Sequence, residues 1–183
     1  AAAERLAADP PARSVLFIAF TGEESGLLGS AWFTNHPAVP LDRVRAMLNM
    51  DMVGRLEDDP MLVYGTATAD EWEPILEDAR AALGVPMLYR GDGIGPSDHT
   101  SFYLKDIPVL HFFTNVHSDY HRPSDDWDRI DFDGVEKVAG VVERVARAVA
   151  DRPEPLTLRR GAAPPPVAQG SGYGAYLGSI PDF

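Results

Sequence analysis

The apolar residues of this chain fall into two kinds of run. Short ones occupy residues 14–20 (SVLFIAF), unbroken from Val15, 45–53 (RAMLNMDMV), interrupted by Asn49 and Asp51, 61–64, 87–89 and 109–113. Their length and their content of β-branched and aromatic residues predict strands, the first two of the interior kind covered on both faces. Elsewhere apolar residues recur every three or four positions, which predicts helices. These cover 1–8, the stretch from Glu24 to about His36, 70–83, the segment from Ser97-Asp98 through Leu104, and 133–150. In the third, Trp72, Ile75, Leu76, Ala79 and Leu83 share a face; in the last, Val135, Val138, Val142, Val145 and Val149 face a core. Strands alternating with helices predict an α/β fold.

The polar residues that interrupt this pattern are the informative ones. After residues 15–20 the chain turns at Thr21-Gly22 and presents Glu23 and Glu24 before the next helix begins. In open α/β sheets the carboxyl ends of strands face the ligand crevice. Two carboxylates about 5 Å apart repel by roughly 3 kcal/mol at an effective dielectric near 20, so such a pair calls for a cation or a shared proton. The plainer alternative is helix first-turn charge, worth about 0.3–1 kcal/mol. Asn49 and Asp51 fall inside the second strand, where polar residues need a reason. Ser97-Asp98 follows a glycine-rich loop and suits a helix N-cap. His111, inside a strand, reads as a satisfied core histidine, and His36 as a helix-terminal cation. Residues 115–130 (NVHSDYHRPSDDWDRI) have no periodicity and are dense in His and Asp, the mark of a functional loop.

Composition narrows the chemistry. With 183 residues the chain suffices for one α/β domain. A net charge of -12 opposes nucleic acid or an anionic membrane as partner. With no cysteine, a metal must be held by His, Asp and Glu, a set that suits zinc. No apolar run reaches the 18 residues of a membrane span. From residue 153 the composition turns to Pro, Gly, Ser and Ala (GAAPPPVAQGSGYG), which places the domain at 1–152 and a linker at 153–174.

Four ordered segments, FTGEESGLLGS, NMDMVG, GPSDHTSF and FFTNVHSDYHRPSDDWDRI, resemble the successive signatures of the dinuclear-zinc aminopeptidase and carboxypeptidase family, the group of bacterial leucyl aminopeptidases and glutamate carboxypeptidase. The resemblance covers residues 13–150. It implies a mixed, mainly parallel sheet with helices on both faces, and a hydrolase that cleaves N-terminal peptide bonds of a peptide or aminoacyl substrate with two zinc ions. It implies Glu23 as general base, Glu24, Asp51 and His121 as zinc ligands, and Tyr120 as the hydroxyl that stabilises the tetrahedral intermediate. Asp98 and His99 match a turn that lines the pocket, although a helix cap serves equally for Asp98. Asp125 is placed to orient His121 or is a solvated loop charge. The family resemblance suggests a secreted or periplasmic location.

The family's remaining His ligand and its bridging Asp have no counterpart before Glu23, so the sequence reads as the C-terminal part of a peptidase domain, inactive alone. Residues 175–183 (AYLGSIPDF) resemble the opening of a PDZ-like domain. Two other functions share the features: a single-zinc glutaminyl cyclase, and a non-catalytic interaction domain on a peptidase scaffold.

Overall fold

A computed structural model of the chain describes residues 1–57 and 59–160. Four strands form one sheet: β1 (Met47–Met50), β2 (Met61–Tyr64), β3 (Met87–Tyr89) and β4 (Val109–Phe113). Their spatial order is β1-β4-β2-β3, with β1 parallel to β4, β2 parallel to β3 and β2 antiparallel to β4. The sheet is therefore mixed and mainly parallel, as the resemblance implies. Among the described residues five α-helices accompany it: α1 (Ala2–Ala8), α2 (Leu28–Asn35), α3 (Trp72–Leu83), α4 (His99–Tyr103) and α5 (Phe132–Asp151).

Helices cover both faces because β4 alternates. Leu110 and Phe112 enter the larger core with Trp72 and Leu76 of α3 and Val138, Val141 and Val145 of α5. Val109 turns the other way, to Phe102 and Tyr103 of α4, where Phe20 and Phe33 also pack. The apolar stripes of α3 and α5 supply the buried residues, so their packing rather than propensity holds these helices in place. Among the described residues no helix is long and apolar enough to cross a membrane.

One expected strand is absent. Residues 14–20 form neither strand nor helix. Leu16, Phe17 and Ile18 are 58%, 50% and 40% exposed. An apolar run becomes an interior strand only if neighbours hydrogen-bond it on both sides. Among the described residues none does, and the segment is anchored instead by Phe20 against Phe33 and Phe102, each at 5.9 Å between ring centroids.

The chain after α5 stays on the domain as far as it is described. Leu156 is buried, Leu158 bridges Ala69, and Arg159 Nε donates to Asp70 Oδ1 at 2.7 Å. Most of the expected linker, and all of the expected PDZ-like start at 175–183, lie outside the described residues.

Candidate active site

Glu23 and Glu24 stand in a tight turn, not in a helix. Gly22 has φ 68° and Leu27 φ 59°, and the N–H groups of Gly26 and Leu27 both donate to the Glu23 carbonyl at 2.9 Å. Helix α2 begins only at Leu28 and has no acidic residue in its first turn. The helix-charge explanation of the pair is thereby corrected, since the backbone closes the turn before the helix starts. Gly29 explains how the turn is held. Its N–H donates to the Thr21 carbonyl at 2.9 Å, and a Cβ there would lie 2.5 Å from that oxygen, so only glycine permits the approach.

Strand β1 delivers the next carboxylate. Asp51 follows it directly, its N–H donating to Phe112 O of β4 at 3.3 Å. Glu23, Glu24, Asp51 and Asp98 line one cleft with Asn49 and Ser97. Burial first, then the charges of Asp51, Glu24 and Asp98, push the Glu23 carboxyl up to about 7, with His121 opposing. Burial also raises Asp98, against a hydrogen bond from Ser30. Asp98 occupies the N-cap position of α4 yet makes no side-chain cap bond, and its Oδ1 is buried without a partner among the described residues. The cap reading is corrected accordingly: the cleft takes that carboxylate.

The long loop after β4 brings in the imidazole. His121 Nε2 lies 3.0 Å from Glu24 Oε1. Its ring stacks on Tyr120 with centroids 3.9 Å apart. His121 has φ 54°, a left-handed conformation that costs a non-glycine residue on the order of 1–3 kcal/mol and persists only where the surroundings impose it. Asp125 does not contact His121 in the manner expected. It accepts from Arg55 Nη2 at 2.6 Å and lies 3.6 Å from His117 Nε2.

Behind the cleft runs a buried polar chain. Ser97 Oγ donates to Asp51 Oδ2 at 2.8 Å, and Asn49 Nδ2 donates to Ser97 Oγ at 2.8 Å and to His111 Nδ1 at 3.0 Å. This answers why Asn49 interrupts a strand. His111 stacks on His99 with centroids 4.7 Å apart and planes 7° apart. Burial drives His111 down to about 4, and burial together with the neighbouring ring drives His99 down to about 3, so both are neutral. Both ring nitrogens of His99 are buried without a partner among the described residues. Ser97 and Arg55 were not visible as site residues in the sequence, because their partners are 46 and 70 positions away.

Among the described residues no three His, Asp or Glu side chains stand close enough together to hold one ion. The donor chemistry nevertheless fits zinc. Glu24 and His121 present an oxygen and a nitrogen to the same spot, and Glu23 shares its cleft with three further carboxylates, a surplus of negative charge that a cation would relieve.

The family model described as Peptidase family M28 matches residues 1–146. The chain belongs to peptidase family M28. It is 28% identical over 162 residues to Aminopeptidase YwaD of Bacillus subtilis, covering 82% of this chain and 35% of that protein. The structure of BSAP, a zinc aminopeptidase from Bacillus subtilis, superposes with a TM-score of 0.70 at 25% identity, over 88% of this chain and 40% of that one. A Bacteroides thetaiotaomicron glutaminyl cyclase shares the fold, with a TM-score of 0.60 at 19% identity over 79% of this chain and 57% of that one. The chain thus spans about a third of the length of YwaD.

Proposed function

We propose that the protein is a zinc-dependent exopeptidase that removes residues from peptide N-termini. The observation that carries this reading is the placement of Glu23 in one cleft with Glu24, Asp51 and Asp98 beside the Glu24–His121 contact, where burial and those charges raise its carboxyl to about 7 before any cation enters. A general base works best with a pKa near the operating pH. Kinship with YwaD and BSAP, named as aminopeptidases, supports the same direction of cleavage.

Glu24 and His121 would hold one ion and Asp51 a second. A catalytic zinc takes three protein ligands, so the two-ion site needs donors in addition to these three. Zinc bound there supplies Lewis acidity at the scissile carbonyl and lowers the pKa of water. Glu23 takes the proton of the attacking water and returns it to the leaving amine. The Tyr120 hydroxyl donates to the oxyanion of the tetrahedral intermediate. Ser97 and Asn49 hold Asp51 in one orientation, and the acidic cleft favours a protonated α-amino group over a free carboxylate.

The test is made on the protein with all of its natural sequence. Zinc per chain is measured alongside hydrolysis of an aminoacyl amide and of its N-acetylated form. Bound zinc with cleavage of the free amine alone is expected. Cleavage that needs a free C-terminus would make it a carboxypeptidase, and failure to take up zinc would overturn the reading.

A further inference from the structure

Tyr120 and His121 lie in a stretch without strand or α-helix, and residues 121–130 are all exposed. Burial therefore does not explain why His121 keeps its left-handed backbone. Besides the Glu24–His121 contact, one side chain outside the loop reaches two of its carboxylates. Arg55 Nη2 is 2.6 Å from Asp125 Oδ1 and 3.9 Å from Asp119 Oδ2. Asp119 immediately precedes Tyr120, and Asp125 follows His121 by one turn of chain, so the guanidinium grips the loop on both sides of the pair. Ser124 Oγ ties the two grips together by donating to Asp119 Oδ1 at 2.7 Å.

Arg55 is itself well founded. Its N–H donates to Thr114 Oγ1 at 3.1 Å, and the Thr114 hydroxyl donates in turn to Met52 O. The root of the loop after β4 is thus stitched to the turn after β1, which carries Asp51. The Arg55 side chain is only 13% exposed, unlike a surface ion pair whose partners both move in water. Both contacts are made from Nη2, so one end of the guanidinium serves the two carboxylates.

We propose that Arg55 is a positioning residue: by clamping Asp119 and Asp125 it fixes the loop that presents Tyr120 and His121 to the Glu23/Glu24 turn. Only its consequence for metal rests on the zinc reading above.

Arg55→Met, Arg55→Lys and Asp125→Asn are made in the protein with all of its natural sequence. Two quantities are read: hydrogen exchange of the Tyr120, Arg122 and Asp125 amides, which close the loop's turns, and zinc affinity by chelator competition. Arg55→Met is expected to speed those amides about tenfold or more while α5 amides stay protected. It should weaken zinc by roughly 10–100-fold, as loss of a ligand's supporting partner does. Asp125→Asn should act in the same direction and add little to Arg55→Met, and Arg55→Lys should recover part of both effects. Unchanged loop exchange in either Arg55→Met or Asp125→Asn overturns the proposal. So does faster exchange with unaltered zinc affinity, which would reduce Arg55 to a surface tie. A wild-type protein that binds no zinc would sink the zinc reading, and loop exchange would then decide the role of Arg55 by itself.

Discussion

His121 Nε2 and Glu24 Oε1 meet at 3.0 Å although 97 residues separate them in the chain. Both side chains are largely exposed, at 53% and 72%, so the pair is placed by the turn and loop that carry it rather than by burial. As an exposed contact it contributes at most about 1 kcal/mol. Glu24→Ala and His121→Ala should therefore barely change the melting temperature of the zinc-free protein. Each should weaken zinc by at least about 100-fold, exceeding the loss of a mere supporting partner. Calorimetry with and without zinc separates the two effects.

Glu23→Gln is expected to keep zinc and lose about 10²–10⁴-fold in kcat, since an amide holds water in place but takes no proton from it. Tyr120→Phe should lose less, about 10–10³-fold, because zinc, if held as proposed, would still supply Lewis acidity at the carbonyl. Steady-state kinetics on an aminoacyl amide, with zinc content checked in each variant, gives both numbers. An unchanged kcat in Glu23→Gln would remove Glu23 from its role.

Ser97→Ala deletes the donor to Asp51 and leaves the Asn49 amide without that acceptor. A buried donor left unpaired costs about 1–3 kcal/mol. A ligand freed from its partner binds metal roughly 10–100-fold less well. Urea unfolding and chelator competition should show both losses together, and Ser97→Thr, which keeps the hydroxyl, should spare the second.

The stacked His99 and His111 rings give the fold an acid limit. Their folded pKa values, about 3 and about 4, lie below the ordinary 6.5. Their contribution to stability is present in full above 6.5 and is lost as pH falls toward those values, because the unfolded chain takes protons that the buried rings refuse. Each ring adds a slope of about 1.4 kcal/mol per pH unit in that window. His99→Phe keeps an aromatic face against His111, and its unfolding free energy should decline less steeply between pH 6.5 and 4.

On the proposed assignment Glu24 and His121 give one ion two protein ligands and Asp51 gives the other a single one, fewer than the three of a catalytic zinc, so these 183 residues by themselves should bind zinc weakly and show no turnover. Zinc analysis and an amidase assay on the isolated chain are the check. Tightly held zinc with a kcat near about 1 s⁻¹, an ordinary enzyme rate, would contradict the ligand assignment.

What the sequence made legible was local. Strands β2, β3 and β4 fall where short apolar runs lie between glycine, proline and polar residues, and α3 and α5 where valine, leucine and tryptophan repeat at helical spacing. Asn49 announced itself as a polar residue in a strand, although its partners Ser97 and His111 could not be named. Residues 14–20 misled because an apolar run reports only that cover is wanted, not where it comes from. For Asp125 the sequence leaves open whether it orients His121 or is a solvated loop charge, because its partner Arg55 sits 70 residues earlier and has no local signature.

The pairing of β1 with β4 has a kinetic consequence. Asn49 and His111, opposite one another in that register, are 62 residues apart in sequence, so a long loop must close before the pair can form. Contacts of this span slow folding, because chain entropy is lost before the pairing repays it. Asp51 leaves the end of one of these strands and the His121 loop leaves the other. During synthesis the cleft therefore has no half-built precursor: until β4 has emerged and docked, the nascent chain carries scattered carboxylates with nothing to hold them together.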